Sequence, residues 1–305
     1  MTCIQVDLWR MRRTICLTVV AVATLVLLFV NLSIYVQFRA EQRILKEIQA
    51  FGGEVRMEYA GPSWLPDIVK SVFPYFDRIC SVHVDSRDFS DIQMRRLRNL
   101  SNVKWLSVCG TGVTDNGLRT VESFSTIWYL ALDGTQVTDA GMRYCAGLRD
   151  LTVLSLAQTH VTDAGLAQLS GLDGLRVLIL DDTEITDDGV AHISKLAELK
   201  ELSLARTQIG DSSAVTISRY SSIDILSLEG TRLSDVGIEE LALLTSLTEL
   251  NLDGTMITDG AFNVLASLRH LELLRINGTK TTVEGVSGFQ TLVPHCVVVT
   301  QSGIQ

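Results

Sequence analysis

Apolar and polar positions follow one pattern that repeats every 24 residues along most of the chain. The repeat runs without a gap over residues 103–293, and each copy carries a threonine at the same place: Thr111, Thr135, Thr159, Thr183, Thr207, Thr231, Thr255 and Thr279. Two apolar residues at alternate positions precede each threonine. Thr, Ser or Gly follows it by three residues, then usually Asp, and two residues later usually Gly. Self-similarity at a fixed period of this length predicts a solenoid.

A single copy, residues 150–173, shows how one coil is built. Leu154 and Leu156 alternate as in a short strand, and Thr159 follows at the turn. We expect its hydroxyl to bond backbone groups of an adjacent coil. Thr162 and Asp163 offer oxygens to the free amides of a helix start, so the recurring aspartates are interpreted as N-caps rather than as paired carboxylates or calcium ligands. Stacked copies predict a parallel sheet on the concave side and helices on the convex side.

The repeats decay towards both ends of this array. An earlier degenerate copy contains Val82, and the ninth unit has Thr281 and Val283 where an apolar residue and Asp are usual. Within the array, the sixth copy departs most, with Gly210 in place of the usual Thr or Ser and Ser213 in place of the usual Gly. We expect residues 296–300 to form a last strand that closes the solenoid.

The pattern L-x-x-L-x-L-x-x-T-x-[VIL]-[TS]-D-x-G covers roughly 60 per cent of the chain and resembles the leucine-rich repeat family. That resemblance implies an α/β leucine-rich repeat solenoid, with strands lining the concave face. The arrangement looks like that of bacterial single-pass membrane proteins that carry 24-residue T-D-x-G-L repeats. It is also similar in style to F-box leucine-rich proteins, which select substrates for ubiquitin ligases, although no F-box precedes these repeats.

The N-terminus predicts a membrane anchor at residues 14–38, after a short tail at residues 1–13. Residues 15–38 contain no charged side chain and would extend about 36 Å as a helix, enough to cross a bilayer. A cleaved signal peptide is the alternative, but a small-residue cleavage site does not follow. Three bases flank the segment on each side, so charge alone does not fix its orientation. The short tail favours a single-pass signal anchor with the repeats outside the cytoplasm.

Residues 39–78 predict a juxtamembrane helix and an N-terminal cap for the repeat domain at residues 79–300. Ile44, Ile48 and Phe51 have near-helical spacing, and a second short helix is expected from Trp64 to Phe73. A solenoid needs a cover over its first exposed coil, which this aromatic-rich stretch could supply. A separate small domain is the alternative, but about forty residues provide too little core.

Charge and chemistry-bearing residues narrow the functional classes. Beyond residue 38 the chain has 23 Lys or Arg against 34 Asp or Glu, which argues against a nucleic-acid partner. The six cysteines show no pairing pattern, and the five histidines fall at unrelated places in the repeat. We therefore interpret the cysteines as scattered thiols rather than as a disulfide framework or metal site. The sequence predicts no metal, no cofactor and no catalytic site.

Side chains that alternate with the inward leucines should form columns on the concave face, about 4.8 Å apart. Along these columns, aromatic and aliphatic side chains of the first coils give way to acidic side chains in later coils. The candidate binding residues are Trp105, Tyr129, Asp133, Val153, Val177, Asp181, Glu201, Glu229 and Asp253. Such a surface is typical of protein binding. The alternative is that the N-terminal cap covers the two aromatic side chains and that water solvates the acids.

These observations predict a membrane-anchored, non-catalytic scaffold that binds a protein partner through its concave face. The second hypothesis is a cytosol-facing adaptor that selects substrates in ubiquitin-ligase-like or other degradation or signalling complexes. An enzyme ranks third because no constellation of residues supports one.

Overall fold

The computed structural model describes residues 3–63, 76–301 and 303–304. One helix, α1, runs without a break from Cys3 to Ala50, so the predicted juxtamembrane helix continues the apolar segment. The helix expected from Trp64 to Phe73 lies outside the described residues. Within α1, the part from Ala21 to Ala50 is long and apolar enough to cross a membrane by length and composition, and its most apolar stretch has no cover from the rest of the chain.

The described strands form one sheet in which strand order follows chain order. Its strands are β1 (Glu54–Tyr59), β2 (Asp77–His83), β3 (Trp105–Ser107), β4 (Tyr129–Ala131), β5 (Val153–Ser155), β6 (Val177–Ile179), β7 (Glu201–Ser203), β8 (Ile225–Ser227), β9 (Glu249–Asn251), β10 (Leu273–Arg275), β11 (Val297–Thr300) and β12 (Gly303–Ile304). Strands β2 to β11 are parallel, whereas β1 and β12 pair antiparallel at the two ends. This confirms the predicted α/β leucine-rich repeat solenoid.

A short helix returns the chain from each of the strands β2 to β10 to the next strand. The helices are α2 (Asp91–Leu97), α3 (Asp115–Leu118), α4 (Asp139–Met142), α5 (Asp163–Gln168), α6 (Asp187–His192), α7 (Asp211–Ile217), α8 (Asp235–Leu241), α9 (Phe262–Leu265) and α10 (Val283–Leu292). Two 3-10 helices, Arg119–Ser123 and Asp259–Ala261, adjoin α3 and α9. The leucines of strands and helices meet between the two layers, where Leu154, Leu166 and Leu178 are fully buried.

The marker threonines stabilise the turn in their own coil. Thr159 Oγ1 donates to the carbonyl of Leu156, three residues earlier, at 2.6 Å. Thr111, Thr135, Thr183, Thr207, Thr231, Thr255 and Thr279 bond the corresponding carbonyl of their own coils. The expectation of bonds to an adjacent coil was therefore wrong. A hydroxyl that is buried at a tight turn finds its nearest free acceptor in the strand that has just ended.

The recurring aspartates connect neighbouring coils. Thr162 is the N-cap of α5, since its hydroxyl accepts from the Ala164 N–H at 3.4 Å. Asp163 is the first helical residue, and its carboxylate accepts from both the N–H and the hydroxyl of Thr186 in the next coil. The interpretation of these aspartates as N-caps was wrong, because the residue before each one occupies the N-cap position.

The glycine two residues after most of these aspartates leaves space for the carboxylate of the preceding coil. A Cβ atom on Gly165 would lie 2.5 Å from Asp139 Oδ1, much closer than van der Waals contact. The sixth copy has serine instead of glycine at this position and bonds the aspartate of the preceding coil in another way. There the hydroxyl of Ser213 donates to Asp187 Oδ1, and the backbone N–H of Gly210 donates to the same oxygen at 2.8 Å. The hydroxyl absent at position 210 is thus supplied from position 213.

The C-terminal half of α1 packs against the open edge of the sheet. Ile44 and Ile48 are buried in the core, and Glu41 is only 2% exposed. Its Oε2 accepts the Ile79 N–H at 3.0 Å, and its Oε1 lies 3.6 Å from Arg78 Nε. Together with the antiparallel strand β1, α1 covers the first coil. At the other end, the predicted strand at residues 296–300 is found as β11.

Candidate binding face

The parallel register places one residue of each coil directly beside its equivalent in the next. Trp105 lies beside Tyr129, which in turn lies beside Val153. Val177 and Glu201 continue this first column on β6 and β7. All five side chains are half-buried, so each one presents part of its surface on the concave face. The structure thus aligns these predicted site residues in one continuous row.

Four rings form an aromatic cluster at the start of this row: His83, Trp105, Trp128 and Tyr129. Trp105 and Tyr129 stack with ring centroids 4.7 Å apart and an interplanar angle of 19°. Trp128 meets Tyr129 edge-on at 5.9 Å, and His83 is tilted over Trp105 at 5.9 Å. Trp128 is 42% exposed although it is a large aromatic residue. An exposed group of rings is a common feature of protein interfaces.

A cleft of about 600 Å³ lies beside the aromatic cluster. Its walls are Glu54, Val55, Arg56, Glu58, Cys80, Ser81, His83, Lys104, Trp105 and Trp128. Strand β1 of the cap thus borders the cleft, and Trp105 remains one of its walls. Lys104 and Glu58 form an ion pair across the cleft, and this partner lowers the pKa of the Glu58 carboxyl. The cleft therefore combines apolar ring surface with fixed charge of both signs.

Two aspartates of the acidic column hold the next coil in place. Asp133 Oδ1 accepts from Ser155 Oγ at 2.5 Å and from the Ala157 N–H at 2.9 Å. Asp181 Oδ1 makes the equivalent bonds to Ser203 Oγ and the Ala205 N–H, at 2.5 and 3.0 Å. The sequence suggested that water could solvate these acids. Instead, hydrogen bonds within the solenoid already occupy Oδ1 of each, and Asp133 Oδ2 also accepts from Cys109 Sγ at 3.4 Å.

The other two members of the column belong to polar networks. Asp253 Oδ1 accepts the N–H of Asn277 at 2.6 Å, and its Oδ2 lies 3.2 Å from Arg275 Nε. Glu229 accepts from Arg206 at 2.5 Å. Arg206 also bonds both carboxylate oxygens of Asp182, at 2.7 and 2.9 Å, and is 45% exposed at its side chain. The acidic column is consequently partly neutralised along its C-terminal half.

Sequence reasoning missed that the turn before each marker threonine has left-handed backbone. Gly110, Gly134, Gly230, Gly254 and Gly278 adopt positive φ there, as glycine does without strain. In three consecutive central coils the position is Gln158, Asp182 and Arg206, with φ between 55° and 56°. Residues with a side chain rarely adopt this backbone. The glycine that recurs before the other marker threonines was the signal, and Gln158, Asp182 and Arg206 form a polar edge of the face.

Glu201 is the acid that enters the apolar row. It lies between Val177 and Ile225 and is half-buried. Burial raises the pKa of its carboxyl, and the charge of Glu249 two coils further raises it as well. A carboxylate that lies in an apolar row, with no base nearby, is stabilised in its charged form by a cationic partner. The positive charge of the partner offsets the hydration that the carboxylate has lost.

Among the residues that the structure describes, no group of three or more His, Cys, Asp or Glu side chains could hold a metal ion. The described cysteines at positions 80, 109, 145 and 296 are free thiols. Burial raises the pKa of the Cys145 thiol to about 12 and that of Cys296 to about 11. These thiols are therefore protonated at neutral pH, which does not suit nucleophilic catalysis.

Comparison with known proteins finds similarity only at the level of structure. No protein-family profile matches the sequence, and no curated protein matches it either. Among solved structures, internalin C2 of Listeria monocytogenes is 23% identical over 73% of this chain and 81% of its own, with a TM-score of 0.45. An internalin (inlF) of the same organism is 18% identical over 72% of this chain and 79% of its own, with a TM-score of 0.48.

The plant peptide hormone receptor RGFR1, in complex with RGF2, is 13% identical. The match covers 72% of this chain and 39% of the receptor chain, with a TM-score of 0.47. Because all three identities and TM-scores are low, the assignment of the fold rests on the strands, turns and helices of this chain itself.

Proposed function

We propose that this leucine-rich repeat protein is a membrane-anchored, non-catalytic scaffold that binds a protein partner on its concave face. The observation that carries the proposal is the stack of Trp105 on Tyr129 at the surface, 4.7 Å apart and beside an open cleft. The proposed organisation is a tail at residues 1–13, an anchor at 14–38, a juxtamembrane helix and cap at 39–78, and repeats at 79–300.

The aromatic cluster supports binding because its rings are held rigidly before a partner arrives. Stacking fixes Trp105 against Tyr129, and the sheet fixes the backbone of both. Large aromatic side chains dominate interface energies, and little conformational entropy is lost when they are already ordered. A solenoid sheet has no comparable need for exposed tryptophan at this place.

The rest of the row indicates the chemistry of the partner. Val153 and Val177 extend the apolar surface from the aromatic cluster, and Glu201 and Glu249 follow as acids. A matching protein segment would place apolar or aromatic side chains at the first coils and a basic side chain near Glu201. The proposal includes no metal and no cofactor, and it does not involve nucleic acid because the chain is acidic, with an isoelectric point near 5.1.

Anchoring is supported by the length and apolar composition of α1 and by its uncovered surface. We propose a single-pass signal anchor with the repeats outside the cytoplasm. The chain should remain in membranes during carbonate extraction, and protease added outside intact cells or spheroplasts should digest the repeats. Complete protection until lysis would contradict this orientation and favour the cytosol-facing adaptor. Release by carbonate would contradict the anchor.

Site-specific photo-cross-linking tests the binding face. A benzophenone side chain would replace Val153 on the concave face, and a matched control would carry it at Val236, which is 64% exposed on α8. We expect a discrete adduct from position 153 and none from position 236. The adduct at 153 should disappear when Trp105→Ala and Tyr129→Ala are added, but persist with Ile92→Ala, an exposed residue of α2. An adduct that is indifferent to both aromatic substitutions would contradict the proposal.

A further inference from the structure

Charge is distributed unevenly along the solenoid. Residues 39–123 contain 12 Lys or Arg against 11 Asp or Glu, whereas residues 124–305 contain 11 against 23. The coils next to α1 are therefore close to neutral, and the distal coils carry the acidity of the protein. The nearly neutral coils are at the end of the solenoid that lies closest to the proposed membrane span.

Exposed bases concentrate on α1 and on the outer side of the first two coils. We name them the basic collar, which consists of Arg39, Arg43, Lys46, Arg95, Arg98 and Arg119. The last three line one cleft of about 460 Å³ with Asn116, Thr120 and Ser123. Two acids line the same cleft: Asp91 accepts from Thr114 in the next coil, and Glu122 lies 3.8 Å from Arg119 Nε, so among the described residues Arg95 and Arg98 are the arginines of this cleft outside an ion pair. Exposed arginines around a cleft suit phosphate oxygens.

Contacts of α1 place one part of the first coil, which includes Arg98, relative to the end of the proposed span. Gln37, in the last turn of the proposed span, donates through Nε2 to Ser101 Oγ at 3.1 Å. Ten residues further along α1, Glu47 bonds Arg96 at 2.5 Å. A helix rises about 1.5 Å per residue, so Glu47 lies about 15 Å beyond Gln37 along α1. Residues 96–101, which contact α1 between these two points, therefore lie within about 15 Å of the end of the membrane segment. Arg98 lies within this stretch.

We propose that the basic collar binds the phosphate headgroups of anionic lipids in the leaflet from which α1 emerges towards the repeats. The proposal rests on α1 spanning the membrane, as proposed above. A base within about one Debye length, roughly 10 Å, of such a leaflet is attracted to it. The acidic distal coils are repelled by the same surface. The two effects together hold the first coils at the membrane and turn the remaining repeats away from it.

Lipid retention by the full-length chain tests this proposal. The protein would be reconstituted in vesicles with equal amounts of phosphatidylcholine and phosphatidylglycerol, then extracted into an uncharged detergent, and the retained lipids quantified. We expect phosphatidylglycerol to be enriched. In the triple variant Arg95→Gln/Arg98→Gln/Arg119→Gln the enrichment should fall roughly fivefold or more, since each base near the surface contributes a factor of that order.

A matched variant removes the same charge from distal coils: Arg232→Gln/Arg269→Gln/Lys280→Gln, three exposed bases. Its enrichment should equal that of the wild type, and both variants should unfold at the wild-type temperature. Equal losses in the two variants would overturn the proposal. So would enrichment that inorganic phosphate abolishes while chloride of equal ionic strength does not, because this would identify a free-phosphate site.

Failure of the anchor gives a different result. A chain that carbonate releases from the vesicles would contradict both the anchor and the collar. A chain that stays in the vesicles but retains both lipids equally would contradict the collar alone.

Discussion

Asp163 in one coil accepts two hydrogen bonds from Thr186 in the next coil, one from its backbone N–H at 2.9 Å and one from its hydroxyl at 2.6 Å. The same pairing occurs for Asp91 with Thr114, Asp115 with Thr138, Asp139 with Thr162, Asp211 with Ser234, Asp235 with Thr258, and Asp259 with Thr282. This ladder connects adjacent coils at the helix starts, outside strands β2 to β11. It is a second line of stacking contacts along the solenoid.

The ladder predicts a cost larger than that of a lost helix cap. Asp163→Ala removes a charged acceptor from two donors, so we expect a loss of roughly 2–4 kcal/mol in the free energy of unfolding. An N-cap substitution costs about 1 kcal/mol. Chemical denaturation of the Asp163→Ala, Thr186→Ala and double variants would give the coupling energy of the pair.

That coupling should be about 1 kcal/mol or more, because the hydroxyl bond is lost only once in the double variant. Asp163→Ala combined with Thr138→Ala is the control, since Thr138 bonds Asp115 instead. The control pair should be additive. Additivity in both pairs would contradict the bond between the Thr186 hydroxyl and Asp163.

The sixth coil allows an exchange of residues to be tested. Ser213→Gly removes the hydroxyl that bonds Asp187, so the melting temperature should fall. Adding Gly210→Thr should restore most of it, because this recreates the threonine and glycine of the other coils. The backbone at position 210 has a φ of −139°, which threonine adopts readily, and a Cβ there would touch nothing closer than 3.8 Å. A double variant no more stable than Ser213→Gly would contradict the exchange.

The period of the sequence was enough to predict the solenoid, because burying Leu154 and Leu178 at equivalent places requires coils of equal length. The local hydrogen bonds were harder to predict. Asp163 is adjacent to a helix start in the chain, so a cap was the nearest explanation. Its actual partner is 23 residues away and is identified only when the coils are stacked.

The candidate binding face could be predicted only in part, because strand alternation is visible in the sequence whereas contacts between coils are not. Alternation along each strand identified the column of Trp105 and Tyr129, and the register aligns them. Trp128 was missed because it precedes its strand, where alternation gives no direction. The bonds of Asp133 to Ser155 and Ala157 depend on the lateral offset between coils, which the sequence pattern does not contain.

Glu41 should be essential for docking α1 against the first coil. Glu41→Ala leaves the Ile79 N–H without its acceptor and removes the buried carboxylate beside Arg78. The buried Ile79 N–H left without an acceptor costs about 1–3 kcal/mol, and the contact with Arg78 adds little to this because burial raises the pKa of the Glu41 carboxyl above its ordinary value. Hydrogen exchange of residues 77–83 should therefore become much faster. Glu47→Ala is the control, because its partner Arg96 is 58% exposed and such pairs contribute at most about 1 kcal/mol. Equal exchange in both variants would contradict the docking role.

Buried thiols should make stability depend on alkaline pH. The pKa of Cys145 is raised from an ordinary 9.0 to about 12, so between these values the unfolded chain loses this proton and the folded chain keeps it. The stabilisation is complete below pH 9 and is lost as pH rises towards 12. Cys145→Ala should flatten the slope of unfolding free energy against pH above 9. The control, Cys80→Ala, removes a half-buried thiol and should change the slope less. An unchanged slope in Cys145→Ala would contradict this assignment.

The measurement that tests the central claim most directly is the affinity of the full-length protein for its cross-linked partner, once that partner is purified. Trp105→Ala should weaken binding by at least about tenfold, which corresponds to roughly 1.4 kcal/mol, because a stacked aromatic anchor is lost. Thermal unfolding should remain cooperative in this variant. Unchanged affinity in Trp105→Ala and in Tyr129→Ala, with the fold intact, would contradict a binding function of the concave face.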